Sequence, residues 1–543
     1  MGLAAFVQTL LAGVLVLAAI ASCQDIPSVD LGYEVHTATV NETGDYYIFS
    51  NVPYADQPVG TRRFQLPVLP SGLSSDVNNG SGTVMCMQAY PEWIVRLQAA
   101  AYGVTVEQMQ QILYYTEGQT EACLMLDIYV PAKVFDGSSK KAPVLAWYHG
   151  GGFTYGSKAS AGNPAGLIAR SQLNDTDGMI FVSVNYRLGL FGWLGGGDSN
   201  LTANLGFYDQ RLALEWVAKY ITLFGGDPSQ VTVMGESAGA SSILHHITSY
   251  GGGNQLPFSQ AILQSPAFQV NLNLTDAYTK TLAEAANQTG ASITTSADLA
   301  SLDTEALKSI NQGVVFQALQ GQFIYGPAPD GQYVPELPQV LLGQGRFNRD
   351  VKVMASHNSL EAAPFVSQSI ATEADLATEL QTNFPALSNS SLDYILNELY
   401  PSSDFPYEFL RAVQIISDID FSCATRYLGI AFDNETYNYI FAYPPGYHAG
   451  DVPYTFFNGD TSTLNNGYPV NGTLAHELQD YIVGFVVGGN PNLSPAGADL
   501  SFPKYGGNAM VTEFTYSGLV IAIDDLAGER CTWWQKAMEQ GLV

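Results

Sequence analysis

Charge is scarce in this chain. Only 13% of its 543 residues are Asp, Glu, Lys or Arg, and 21 of them are basic against 50 acidic. The resulting net charge of −29 repels phosphate backbones, and no basic cluster interrupts it, so nucleic acid is not an expected partner. Cysteine is sparse too. The five present lack the short paired spacing and neighbouring histidines of a metal site, so no metal and no other cofactor is expected. Internal repeats and long low-complexity linkers are missing. After the first 21 residues no apolar run of membrane-spanning length appears, and the C-terminus carries no lipid-anchor tail. Bulk for a core is plentiful, with 46% hydrophobic residues including 31 tyrosines, which excludes disorder. The length exceeds an ordinary domain, but α/β architectures with insertions accommodate it, so residues 22–543 are expected to form one domain.

Residues 3–21 are apolar except for Gln8, Thr9 and Gly13, and end in the small-x-small pattern Ala19-Ile20-Ala21. This segment reads as a secretory signal peptide, 1–21, cleaved within 21–23 and leaving Cys23 at or beside the cut. About ten Asn-x-Ser/Thr sequons, Asn41, Asn79, Asn174, Asn273 and Asn434 among them, fit a secreted glycoprotein. The four cysteines that remain permit three pairings, of which proximity in sequence favours Cys86–Cys123 and Cys423–Cys531.

Apolar runs at 144–148, 179–184, 231–234 and 260–264 alternate with helical patterns at 209–220 and 238–249. That alternation predicts a mostly parallel sheet covered by helices on both faces. From about 272 to 320 the pattern turns helical and polar, as an insertion above the sheet would. The stretch Val231-Thr-Val-Met-Gly-Glu-Ser-Ala-Gly-Ala240 carries the chemistry. It predicts a strand, a tight turn with Ser237 at its apex and a helix opening at Ala238. Gly235 and Gly239 stand where a Cβ would block the approach of strand and helix.

A serine hydroxyl needs a base and an acid that orients it. His245 and His246 lie on the helix after the serine and cannot curl back to it. Chain order nucleophile, acid, histidine leaves His448 and His476, and His448 has the better setting, in a loop after strand 439–443. For the acid, Glu361 follows strand 351–355. Asp330 is the rival, although the Asp-Gly pair it begins is more simply a turn. Asp451 reads as a carboxylate that orders the histidine loop. His149-Gly150-Gly151-Gly152-Phe153 directly follows a strand, so Gly151, Gly152 and Ala238 are the candidate oxyanion-hole donors.

Taken with Tyr148-His-Gly-Gly-Gly-Phe153, Asn185-Tyr-Arg-Leu-Gly189, Asn204-Leu-Gly-Phe-Tyr-Asp-Gln210 and Phe224-Gly-Gly-Asp-Pro-Ser-Gln-Val231, the chain resembles the type-B carboxylesterase/lipase family of α/β-hydrolases. That group includes cholinesterases and long-lid fungal lipases. The resemblance implies an α/β-hydrolase fold and hydrolysis of small-molecule or lipid esters. It puts Ser237, Glu361 and His448 on the triad, Gly151, Gly152 and Ala238 on the oxyanion hole, and structural ion pairs on Arg63–Glu121 and Arg187–Asp209. The competing expectation is a non-catalytic adhesion or binding protein on the same fold. Two departures stand out: Leu360 and Ala362 flank Glu361 where the family has Asp and Gly, and Pro266 follows Ser265 where it has Gly. The 87–122 loop is long. Thr105-Val-Glu-Gln108 fits a helical capping box, and Val106, Met109 and Leu113 share a face. A hydrophobic lid touching a lipid interface and ordinary surface packing both fit that pattern.

Overall fold

The computed structural model describes residues 26–137, 141–197, 201–269, 273–459, 464–465, 468–497 and 500–543. The expected signal peptide and Cys23 lie outside the described residues.

Eleven strands form the central sheet. In chain order they are β1 (Thr39–Asn41), β2 (Tyr46–Pro53), β3 (Met125–Pro131), β4 (Ala142–Tyr148), β5 (Ile180–Val184), β6 (Gly226–Glu236), β7 (Gln260–Gln264), β8 (Lys352–Asn358), β9 (Tyr437–Phe441), β10 (Met510–Thr515) and β11 (Gly518–Ile523). Across the sheet the order is β1-β2-β3-β5-β4-β6-β7-β8-β9-β10-β11. Every pairing from β5 to β10 is parallel, whereas β1 to β3 and β11 are antiparallel additions at the edges. The expected mostly parallel, helix-covered sheet is therefore present, in an α/β-hydrolase architecture. Central strands are buried along their length, as β5 and β7 are at every position, because helices cover both faces. One such helix, Leu205–Tyr220, buries Phe207, Leu212, Leu214, Trp216 and Val217.

Two features of this layout position the candidate site. Strand β4 crosses over β5 to lie directly beside β6, with Tyr148 opposite Gly235. The glycine run after β4 and the serine turn after β6 thus meet at the carboxyl ends of adjacent strands, where open α/β sheets bind ligands. Next, β8 and β9 are neighbours, and their following loops are tied by Leu360 N donating to Gly446 O at 2.7 Å. Both disulfides are formed, Cys86–Cys123 and Cys423–Cys531, in the pairing that sequence proximity favours.

The 87–122 loop holds two helices, Glu92–Tyr102 and Val106–Tyr114. Thr105 Oγ1 accepts from Gln108 N at 3.2 Å and Gln108 Oε1 from Thr105 N at 3.0 Å, completing the expected capping box. Met109 is buried against Val95 and Ala99 of the first helix, with Val106, Leu113 and Phe316 alongside. The apolar face of the second helix is thus spent on packing. Arg63 anchors the loop by a bidentate pair to Glu121 at 2.6 Å and donates to the carbonyls of Ala300 and Leu302.

Candidate active site

Ser237 occupies the turn between β6 and the helix Ala238–Thr248, at φ 55° and ψ −123°. A side chain in that region is strained, and it persists here because both flanks are fixed. Ser237 N donates to Gln264 O at 2.9 Å. A Cβ on Gly235 would lie 2.6 Å from the backbone of Gly239, and one on Gly239 would lie 2.1 Å from Tyr148 O. Only glycine fits at either position. Gly151 and Gly152 also have positive φ, and none of the N–H groups of Gly151, Gly152 and Ala238 donates to a described residue. Three free donors therefore converge beside the serine, at the N-terminus of a helix whose dipole favours negative charge.

His448 Nδ1 and Glu361 Oε2 are 2.6 Å apart. Glu361 is fully buried, and its other oxygen accepts from Ser265 Oγ at 2.6 Å, from Asn358 Nδ2 at 3.3 Å and from Asn358 N. Burial alone would raise its pKa, but His448 and these donors together hold it below the usual carboxylate range. Ser265, which precedes the departure at Pro266, supplies a donor to the acid, and Ala362, a departure beside Glu361, is buried with its N–H on Ser417 Oγ at 3.0 Å.

His448 Nε2 has no hydrogen-bond partner among the described residues and lies 3.3 Å from Glu236 Oε1. Burial pushes Glu236 up to about 8, against the opposing pull of His448. Burial draws His448 down, yet Glu236 and Glu361 outweigh it and raise it to about 8. The rings of Phe421 and Phe365 flank the imidazole, with centroids at 4.7 and 5.2 Å. Ser237, His448, Gly151 and Gly152 all line one cavity of about 310 Å³, whose walls include Phe323, Phe365, Phe421 and Leu337. Among the described residues, none from 87–122 lines it. Trp93 and Tyr90 of that loop stand one layer behind, against Phe323 and Tyr155.

A scan against family models matches residues 32–521 to the carboxylesterase family. The chain belongs to the carboxylesterase family. Among curated proteins it is 37% identical to carboxylesterase patB of Aspergillus clavatus, over 94% of this chain and 96% of that one. Lipase 2 of Geotrichum candidum is 32% identical over 70% and 73% of the two chains. Inactive carboxylesterase-like protein VdtD of Byssochlamys spectabilis is also 32% identical, over 66% of this chain. The crystal structure of Aspergillus niger EstA superposes with a TM-score of 0.80 at 23% identity, covering 95% of this chain and 99% of that one. The chain is a carboxylic ester hydrolase.

The remaining histidines and acids of the carboxylesterase have other employment. Asp330 accepts from the N–H groups of Gln332 and Val334, as a turn residue does. Asp451 accepts from Tyr439 Oη and Gln264 Nε2, which ties the histidine loop to the sheet. His245 and His246 are buried, and burial pulls them down to about 4 and about 3, so both are neutral. His476 is exposed on the helix Gly472–Gly488. The Arg187–Asp209 pair is bidentate at 2.7 and 2.8 Å, behind the site. His357, Asp524 and Asp525 bring ligand-type atoms within 4.8 Å of one another, but Asp524 is already engaged by Tyr505 Oη and Leu526 N. Sequence reading missed the function of Ser265 and the presence of Phe365 and Phe421, which arrive from segments with no motif.

Proposed function

We propose that this carboxylesterase is a secreted serine enzyme working through an acyl-enzyme. Ser237 attacks the ester carbonyl while His448 Nε2 takes its proton. Glu361 holds the imidazole in the tautomer that leaves Nε2 free and stabilises the imidazolium that forms. The N–H groups of Gly151, Gly152 and Ala238 stabilise the oxyanion. His448 then protonates the leaving alcohol, and water, activated by the same base, releases the acid. The observation that carries this reading is His448, paired with Glu361 at 2.6 Å, in one cavity with a strained serine and three N–H groups that engage no described residue. The serine–histidine hydrogen bond of such sites closes when substrate is bound. Ser237→Ala should remove hydrolysis of a chromogenic short-chain ester by roughly five orders of magnitude or more, with the fold unchanged by circular dichroism. Activity retained in that variant would overturn the assignment.

Secretion is supported by the 3–21 apolar segment, the sequons, two disulfides and relatives named secreted lipase from Arthroderma benhamiae. No described helix is long and apolar enough to cross a membrane. The cavity wall favours an ester with an apolar acyl or alcohol part, and its volume sits at the small end of small-molecule sites. A second reading, a lipase that contacts a lipid interface through 87–122, is favoured by Leu97, Tyr102, Ile112 and Tyr115, which are 42–76% exposed on that loop. A chain-length series assayed below and above the solubility limit separates the two. A jump in rate at the interface supports the lipase, and smooth saturation with short chains supports the carboxylesterase.

A further inference from the structure

The catalytic cavity does not end at its apolar wall. A second cavity of about 130 Å³ abuts it, sharing Gln269, Gly321, Phe323, Phe365 and Asp420. Its own lining is polar, with Gln320, Gln322, Glu379 and Asn383 and the Asp276–Lys280 ion pair, whose charges are already matched at 2.8 Å. Phe365 belongs to both cavities and packs on His448, so the polar space opens one aromatic ring away from the candidate base.

Asp420 stands at the junction. It lies on a π-helical turn, Asp418–Ser422, that interrupts the helical run from Glu408 to Ala431, and such turns often mark functional positions. Asp418, two residues earlier, gives a measure of what a structural carboxylate looks like here. It is fully buried and engaged by Tyr400 Oη at 2.7 Å, Gln414 Nε2 at 2.7 Å and Arg530 Nε at 3.3 Å. The Asp420 carboxyl has no hydrogen-bond or ion-pair partner among the described residues, although its backbone carbonyl is fixed by Phe268 N at 2.8 Å. Asp420 is partly exposed to both cavities, and a carboxyl there with no partner among the described residues is open to one arriving from the cavity.

We propose that Asp420 is a specificity-determining residue which, with Gln269 and the polar space beyond it, receives a hydroxyl carried by the acyl or alcohol part of the ester. The proposal rests on the esterase reading above and names the substrate class: hydroxylated rather than purely hydrocarbon esters. Burial raises the Asp420 carboxyl well above the usual carboxylate range, which favours its protonated form. A protonated carboxyl offers one O–H donor and one carbonyl acceptor, which matches a hydroxyl in both directions. The surrounding Gln and Asn amides are likewise two-sided. Gln269 is oriented for this by Phe323 N, which donates to its Oε1 at 3.0 Å.

The test compares a matched pair of esters, an ω-hydroxyacyl ester and its methyl-ended isostere, over a series of chain lengths. The expected result is about tenfold or more higher kcat/KM for the hydroxylated member at one optimum length, because a site built to bind a hydroxyl rejects the analogue lacking it. Asp420→Leu should reverse the preference, and Asp420→Asn, which still donates and accepts, should keep most of it. The ratio is taken within each variant, so a general loss of activity or stability cancels. A wild-type ratio near one, or the same ratio in Asp420→Leu, would overturn the proposal. Calorimetric titration of Ser237→Ala with the same two esters reads discrimination without turnover. Tighter binding of the hydroxylated member supports the site even if hydrolysis fails, and equal binding overturns it. An ammonium-tipped ester preferred over both would make this a cation site and refute the hydroxyl assignment.

Discussion

At the scale of single residues, the most consequential contact is the 3.3 Å approach of Glu236 to His448. Glu236 precedes Ser237 directly in the chain, and both line one cavity with His448. A histidine base acts when neutral, so kcat/KM of the free enzyme should rise with pH through the His448 pKa. Glu236 and Glu361 favour its protonated form, which places the midpoint above the ordinary histidine value, toward about 8. Glu236 and His448 titrate as a pair, so Glu236→Gln, which keeps the shape and removes the acidic partner, should lower the midpoint. A pH–rate profile of the two proteins checks this, and an unmoved midpoint would assign the whole shift to Glu361. Ser265→Ala tests the other side of the dyad. It deprives the buried Glu361 of one of its donors, and a tenfold or greater drop in kcat is expected at about the worth of a hydrogen bond to a charged group. The turn at Ser237 and the approach of Glu361 to His448 were expected from the sequence, because strand–turn–helix patterning and chain order constrain them. Ser265 was visible only as an odd neighbour of a proline, because its partner lies 96 residues away.

Among the elements, the loop closed by Cys86–Cys123 carries the most local information and the least of the site. Its capping box was readable because both halves lie within four residues. Its apolar face was readable too, but not what that face would touch. Met109 meets Val95 and Ala99 of the neighbouring helix, so the amphipathic pattern is satisfied within the loop and by Phe316. The loop spans a sequence separation of 37 residues, so the double variant Cys86→Ser/Cys123→Ser should lose about 4 kcal/mol of stability from restored chain entropy. Denaturant unfolding of the two proteins measures it. The edge strands β1, β2, β10 and β11 carry no motif and were not anticipated, whereas the continuous apolar runs of β4, β5, β6 and β7 were, to within a few residues. Burial on both faces writes a strand into composition, and an edge position does not.

For the whole molecule, acidity and burial act together. With 50 acidic and 21 basic side chains the native state repels itself at neutral pH. Several carboxyls are also enclosed with their pKa raised by burial: Asp418 and Asp451 to about 6, Glu236 to about 8, and Asp420 well above its usual range. For a group whose folded pKa exceeds its unfolded one, the unfolded chain gives up its proton first, so stability falls as pH rises from about 4 through the folded pKa. Glu361 works in the opposite sense, since its pKa is lowered and its contribution is lost as pH falls through that lowered value. The buried His149, His245 and His246, lowered to about 4, 4 and 3, also oppose the trend, because the unfolded chain protonates them as pH falls below the ordinary histidine value. The raised carboxyls, joined by His448 at about 8, outnumber these histidines across pH 5 to 8. The melting temperature should therefore be higher near pH 5 than near pH 8, which a calorimetric scan across that window tests.

The sequence by itself determined the nucleophile turn, the glycine run and the family. Each is written in residues close together, where steric demand admits few alternatives: glycine at 235 and 239, a small-residue helix start, a strand before each motif. Tertiary structure alone decided what the cavity is made of. The crossing of β4 over β5 brings Gly151 to Ser237, and neighbouring β8 and β9 bring Glu361 to His448. The same packing separates two aspartates two residues apart, enclosing Asp418 among Tyr400, Gln414 and Arg530 while leaving Asp420 at the cavity with no partner for its carboxyl among the described residues. Nothing in the local sequence distinguishes them, because the difference lies in which distant side chains reach each carboxyl.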